Sequence, residues 1–294
     1  MSKIAVIIVT FNGENYIEKC LESVLKTDVD FKIFVVDNDS VDQTILLVSK
    51  INSIVIIKNN SNLGFGKANN IGIKQAISEG FDQFFLLNQD TTIESHTIST
   101  LSRALVENER FGILSPKHFV KNGCSLDDGF KKYYNRAQVA CKGLLKVDFV
   151  NAAAWMVSRR CFEKVGLFEP IFSHYGEDRN FCDRTKFHEF EIGILENAKI
   201  VHDRKIVRNL KKDILQAKYL ILCSLININL SVLERRFYGL KQVFGLPKYF
   251  VSYYSKAQTL KFFKELFVFY GHYILNIKKI STIIITSKAG KNGL

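Results

Sequence analysis

The chain is poor in the residues that interrupt or staple a fold. It has 3 prolines and 1 tryptophan in 294 residues, too little punctuation for a proline-rich linker or a low-complexity segment. Its 6 cysteines, Cys20, Cys124, Cys141, Cys161, Cys182 and Cys223, include no C-x-x-C pair. That spacing argues against a zinc site and a disulfide scaffold and suits a reducing compartment, so a cytoplasmic protein is expected. Long apolar runs are missing too. No stretch reaches the roughly 18 consecutive apolar residues of a membrane span, and the run from Ile4 to Val9 is too short for a signal-peptide core. No internal repeat is visible. Dinucleotide and nucleoside-triphosphate fingerprints fail as well. Gly64-Phe65-Gly66 is followed by Asn69 where a third glycine belongs, the first strand turns at Phe11-Asn12-Gly13, and no G-x-x-x-x-G-K-[ST] occurs. The last absence is regional. Residues 203–294 hold 4 Asp+Glu against 17 Lys+Arg, while residues 1–202 hold 25 against 24. The overall charge of +12 therefore sits entirely in the last third. This composition boundary divides the chain into 1–204 and 205–294.

What is present is an alternation. Residues 3–10 and 31–36 are β-branched or apolar runs that read as buried strands, as do 54–58 and 83–87. Helical spacing of apolar residues fills 14–26, 42–50 and 68–79 between them. Strand and helix alternating in this way give an α/β fold with a mostly parallel sheet. Each strand ends in a polar cluster, at residues 10–12, 37–39, 59–70 and 88–91. All four then fall on one sheet edge and form a single crevice, where open α/β sheets bind ligands. Beyond them the pattern gives a helix over 94–107, a strand over 111–115 and a loop or hairpin over 122–143. A helix over 159–165 ends at Gly166, a further helix runs over 179–187, and short strands follow at 191–196 and 198–201.

The sharpest stretch is Phe84-Phe85-Leu86-Leu87 running into Asn88-Gln89-Asp90-Thr91. Asn88 and Asp90 are two apart, so an extended tip points both side chains one way, toward a hard divalent cation. A polar turn capping the next helix is the plain alternative. The glycine-rich loop around Gly64 and Gly66 lets backbone approach a ligand, with Lys67 near its phosphates, or is only a turn. Asp37 is placed to accept from a base or ribose while Ser40 caps a helix. Glu177-Asp178 fits a general base or a carboxylate pair at a helix N-terminus. His202 is a structural histidine or a ligand for a cation such as manganese.

Taken together, Thr10-Phe11-Asn12, Asp37-Asn38-Asp39-Ser40, Asn62-Leu63-Gly64-Phe65-Gly66-Lys67-Ala68-Asn69, Asn88-Gln89-Asp90 and Gly176-Glu177-Asp178 resemble the motifs of inverting GT-A fold glycosyltransferases of family 2. The resemblance spans residues 1 to about 204 and is nearest the bacterial rhamnosyltransferase-like branch. It implies a Rossmann-like GT-A domain that moves a sugar, rhamnose from dTDP-rhamnose or else a UDP-sugar, to a glycan or polyprenyl-diphosphate-linked acceptor of surface polysaccharide such as O-antigen. By the same resemblance Thr10, Asn12 and Asp37 border the nucleoside, and Lys67 and Asn69 line the diphosphate side. Asn88-Gln89-Asp90 stands for the D-x-D motif, with Asp90 and His202 as ligands of Mn2+ or Mg2+. Asp178 is the catalytic base with Glu177 beside it, and Trp155 and His174 lie on the acceptor side. Phe168-Glu169-Pro170 matches the family's phenylalanine–aspartate–glutamate turn. Asn88 departs from the family's usual aspartate, which removes one carboxylate from the metal site. The alternative is a catalytically silent scaffold of a polysaccharide assembly pathway; the intact Glu177-Asp178 pair argues against it. A nucleotidyltransferase is disfavoured because no Gly-x-Gly-x-Arg follows the first strand.

The basic last third mixes aromatic runs with lysines, which suits helices lying on an anionic membrane surface. A solvated packing or homo-oligomerisation module is the other reading. Nucleic-acid binding is not expected, because no nucleic-acid module is recognisable.

Overall fold

The computed structural model describes residues 2–203 and 208–293; the division set at residues 204 and 205 lies outside them. Strand β1 (Ile4–Thr10) leads through α1 (Ile17–Leu25) to β2 (Phe31–Asp37), α2 (Thr44–Val48), β3 (Ile54–Lys58), α3 (Phe65–Ser78) and β4 (Gln83–Asn88). Then come β5 (Thr91–Ile93), α4 (Thr97–Glu107), β6 (Phe111–Phe119), α5 (Asp128–Tyr134), β7 (Gln138–Cys141) and β8 (Leu144–Val147). The sheet-bearing part closes with β9 (Ala154–Ser158), α6 (Arg159–Val165), α7 (Glu177–Phe187) and β10 (Glu191–His202). Four helices follow: α8 (Leu210–Leu225), α9 (Val232–Phe250), α10 (Lys256–Leu275) and α11 (Ile277–Lys288).

Ten strands form one sheet in the order β3-β2-β1-β4-β9-β6-β10-β8-β7, with β5 paired to β10. The half from β3 to β4 is parallel. Its strands are buried on both faces, β1 and β4 almost throughout, which is why they read as unbroken apolar runs rather than alternations. The register sets Thr10 opposite Asp37 and Val9 opposite Asn88, so three polar strand ends share one edge. Separate apolar clusters cover the two faces of the sheet.

Several elements differ from the sequence pattern. Residues 122–143 hold a helix as well as a hairpin: the Asp127 carboxylate accepts from the Phe130 amide at 2.9 Å and caps α5, and Phe130 is fully buried beneath it. Helix α7 starts at Glu177 rather than 179, so the carboxylate pair forms its first turn. The two short strands ending at residue 201 are one bulged strand, β10. The turn after Asn88 is itself a short strand. It pairs antiparallel with the end of β10 and sets His202 opposite Thr91, a pairing that no local pattern announces.

The last four helices build a third apolar cluster that takes in Phe172 from the loop before α7. They clasp α7. The Tyr219 and Ser173 hydroxyls are 2.6 Å apart, and Asn229 donates to the Asp183 carbonyl at 2.8 Å. His188 donates from Nε2 to the Ser287 carbonyl at 2.9 Å. The Leu167 amide donates to the Asn292 carbonyl at 2.7 Å. The basic region thus grips the element that carries the carboxylate pair.

Candidate active site

The edge defined by the β1, β2 and β4 ends opens into a cleft of about 580 Å³ lined by Asn38, Gly64, Phe65, Asn88, Asp90 and His174 among others. A smaller concavity of about 230 Å³ shares Phe65, Asn88 and His174 with it and adds Asn151, Glu177, Asp178 and His202. One continuous site therefore holds both carboxylate motifs and the histidine.

Thr10 and Asp37 lie beneath the cleft rather than on it. Both are buried. The Thr10 hydroxyl donates to Asp37 Oδ1 at 3.0 Å, and Asp37 Oδ2 accepts from the Ser40 amide at 3.1 Å. A buried bond to a carboxylate contributes about 1.5–3 kcal/mol, so this pair fixes the loop after β2. Asn12, exposed and left-handed at φ 46, accepts the Val41 amide at 3.0 Å and stays off the lining. Asn69 is buried in α3 and donates to the Phe65 carbonyl one turn back. Lys67 is half-buried and lines neither concavity. Trp155 faces the core: it is fully buried on β9 and stacked on Phe168 at 6.2 Å. The acceptor-side expectation fails for it because β9 pairs with β4 inside the sheet.

Two residues that the sequence reading left out of the site organise it. Asn38 is buried; its Oδ1 accepts from Asn59 at 2.9 Å and its Nδ2 donates to the Gly64 carbonyl at 3.3 Å, joining the loop after β2 to the loop after β3. Gln89 pairs with the Phe11 backbone, accepting its amide and donating to its carbonyl, both at 3.1 Å. A Cβ at Gly13 would overlap Gln89 Oε1, so that glycine makes room for the clamp. The signal was the uninterrupted polar run itself, in which the middle residues of Asp37-Asn38-Asp39 and Asn88-Gln89-Asp90 have equal claim.

The glycine-rich loop approaches chain, not ligand, at its tightest point. Gly64 has φ +83, and a Cβ there would overlap the Ser173 carbonyl. This contact seats the 173–176 segment over the cleft. That segment turns through two left-handed residues, Tyr175 (φ 74) and Gly176 (φ 90). The non-glycine one is costly backbone held by its surroundings, and it delivers Glu177 and Asp178 to the site.

Glu177 is 4% exposed, and among the described residues its Oε2 has no hydrogen-bond partner. Burial, and then the neighbouring Asp178 charge, push its carboxyl up to about 7. Asp178 is half-buried, and desolvation raises its pKa against the pull of the Arg179 amide, 2.7 Å away. A raised carboxylate is the stronger base. His174 is lowered, first by desolvation and then by Lys212.

Asp90 Oδ1 lies 3.3 Å from His202 Nε2. The bulged β10 and its pairing with β5 bring them together, with Asn88 on the same rim. His202 is 5% exposed, and among the described residues its Nδ1 has no hydrogen-bond partner. Among the described residues no group of three or more His, Cys, Asp or Glu forms a complete metal cluster. One carboxylate, one imidazole and an amide oxygen do suit a divalent cation that draws its remaining ligands from a diphosphate and water.

The family model described as Glycosyl transferase family 2 matches residues 5–166. The match includes Asn88 and Asp90 and ends before Glu177, Asp178 and His202. A curated protein, "dTDP-rhamnosyl transferase RfbF" of Shigella flexneri, is 26% identical over 258 residues, 83% of this chain and 80% of its own. Among solved structures, S. aureus TarS 1-349 in complex with UDP-GlcNAc aligns over 98% of this chain and 88% of its own, with TM-score 0.66 and 17% identity. A mannosyltransferase from Pyrobaculum calidifontis, in complex with GDP-Man and Mn2+, aligns over 98% and 85%, with TM-score 0.62 and 13% identity. At these identities the two structures establish the shared GT-A fold.

Proposed function

The chain belongs to glycosyl transferase family 2, and from that premise we propose that it is an inverting transferase acting in surface-glycan synthesis. It moves one sugar from a nucleoside diphosphate to an acceptor hydroxyl. The donor is dTDP-rhamnose, a choice supported by the 26% identity to the dTDP-rhamnosyl transferase over most of both chains. The observation that carries the reading is the convergence in one cleft of Asp90 with His202 and of Asp178 through a separate helix.

In the proposed reaction the acceptor oxygen bonds to the anomeric carbon while the bond from that carbon to the diphosphate oxygen breaks. The electron pair leaves with the nucleoside diphosphate, and the hydroxyl proton passes to Asp178. A single displacement inverts the centre without an enzyme nucleophile. Asp90 and His202 would hold Mn2+ or Mg2+ beside Asn88; such a cation supplies positive charge against the leaving diphosphate. Asn38 and Gln89 keep the strand-end loops in register beneath the donor, and Glu177, buried behind the base, modulates its charge.

The region 205–294 serves this reaction as a membrane-surface module in the proposed arrangement. Among the described residues no helix is long and apolar enough to cross a membrane. Leu233, Phe237, Leu240 and Phe244 instead form an exposed stripe on α9. On α10 Leu260 and Phe267 continue it, joined through Phe263, whose ring lies 5.4 Å from Phe244. Lys241 and Lys248 lie on α9 and Lys264 on α10 with it. An apolar stripe on lysine-bearing helices fits the cytoplasmic face of an anionic bilayer.

Calorimetric titration with UDP, dTDP, GDP and CDP, with and without Mn2+ or Mg2+, tests the reading. Tightest, metal-enhanced binding of dTDP is expected. Binding of none of the four under any condition would overturn it in favour of a silent scaffold.

A further inference from the structure

A third concavity, of about 820 Å³, lies beyond the base. It shares Asn151 with the Asp178 pocket and no residue with the donor cleft. The three concavities thus run in series, with Asp178 between the donor cleft and this one.

Its lining is cationic. Lys132 and Arg136 come from α5 and the turn after it, and Arg179 comes from the first turn of α7. Among the described residues none of these three takes part in an ion pair. The one carboxylate present, Asp148, is exposed and already lies 3.7 Å from Lys186. The Arg179 guanidinium sits 3.8 Å from the centre of the Phe149 ring, which fixes its plane while leaving its edge donors free. Asn151 adds an amide oxygen, shielded from solvent and without a hydrogen-bond partner among the described residues, at the border with the base pocket. A pocket for an uncharged sugar needs amides, hydroxyls and a ring face, and gains little from three cations lining it against one exposed carboxylate. Arginines with free planar edges match phosphate oxygens two at a time.

Resting on the transferase reading above, we propose that this concavity is the acceptor subsite and that it selects an acceptor carrying a phosphate or diphosphate group. Arg179, Arg136 and Lys132 hold the phosphate while Asn151 orders the acceptor's sugar or polyol at Asp178. The same phosphate chemistry comes from two sources, a lipid-linked diphosphate and a phosphodiester polymer, and the test separates them.

The protein is first saturated with dTDP and Mn2+, which fills the donor cleft, and is then titrated with farnesyl diphosphate and with an oligo(glycerol phosphate). Farnesol and glycerol are the uncharged counterparts. The inference predicts that at least one phosphate probe binds and its counterpart does not. Arg136→Gln and Arg179→Gln each weaken that binding about 10–100-fold with dTDP affinity unchanged. Asp148→Asn strengthens it by about two- to fivefold, a gain that misfolding cannot imitate. The probe that binds identifies the source. Normal dTDP binding with phosphate probes that match their counterparts, or that ignore all three substitutions, overturns the subsite and leaves the transferase standing. Failure of dTDP and the other nucleotides to bind removes both.

Discussion

The two regions of the molecule treat their apolar side chains differently. Among the described residues, 7 large hydrophobics are exposed in 2–203 and 16 in the much shorter 208–293. The first region is nearly neutral and the second strongly basic. In the first, a ten-stranded sheet offers two faces, and helices cover both. In the second, four helices bury one narrow seam and leave the rest of each apolar stripe outside. The contrast shows that the same apolar content closes a core where a sheet supplies area and remains on the surface where helices pack alone. An exposed stripe on lysine-bearing helices is then a surface for something else.

Four experiments press on this comparison, from the largest expected effect to the smallest. Arg184 is fully buried on α7 and donates to the Val165 and Leu167 carbonyls at 2.7 and 2.6 Å. Arg184→Met orphans those acceptors and should cost about 3–5 kcal/mol, read as a lower urea midpoint. An unchanged midpoint would mean the helical region alone holds α7.

Glu177 gives a pH signature. Its folded pKa, about 7, lies above its unfolded value, so the fold favours the protonated form. Stability is greatest below about pH 4.5 for this group and falls as pH rises through 7, by about 3 kcal/mol at most. In Glu177→Gln most of the loss between about pH 4.5 and 7 should disappear from thermal melts, leaving the smaller part from Asp178, which desolvation also raises; an undiminished slope would place its origin elsewhere.

Asp90→Ala and His202→Ala should each remove the Mn2+-dependent gain in dTDP affinity, about 10–100-fold, while leaving metal-free binding in place. Retained metal enhancement in both would dismiss the pair as ligands. The smallest effect belongs to the second region. Phe237→Ser and Phe267→Ser should each weaken binding to anionic vesicles about tenfold, and added salt should weaken wild-type binding further. Thermal stability should barely change, because both rings are exposed. Vesicle binding insensitive to both changes and to salt would return the stripe to self-association.

Much of the first region was legible because its signals are local. Continuous apolar runs gave β1, β2 and β4, and the polar residues that end them fell on one edge as parallel order requires. Asp178 and His202 were legible only through motif resemblance. What carries them into the cleft shows in no apolar periodicity: a left-handed turn at Tyr175-Gly176 held by its surroundings, and the pairing of three residues of β5 with a bulged strand more than a hundred positions away. Trp155 was placed on the acceptor side by resemblance alone, and its ring lies in the core. Thr10 and Asn69 were placed beside ligand by resemblance, and Asp37 also by its strand-end position; in the structure their side chains hydrogen-bond within the protein. The cations of the third concavity come from α5 and α7, elements with no sequence proximity.

The central claim is that Asp178 is the base of a sugar transfer. Its most direct test compares wild type with Asp178→Asn for release of dTDP from dTDP-rhamnose in the presence of acceptor, with dTDP affinity measured on the same preparations. The account predicts a rate about 10²–10⁴-fold lower with affinity within about twofold. Near-normal release by the variant, with affinity retained, would contradict it.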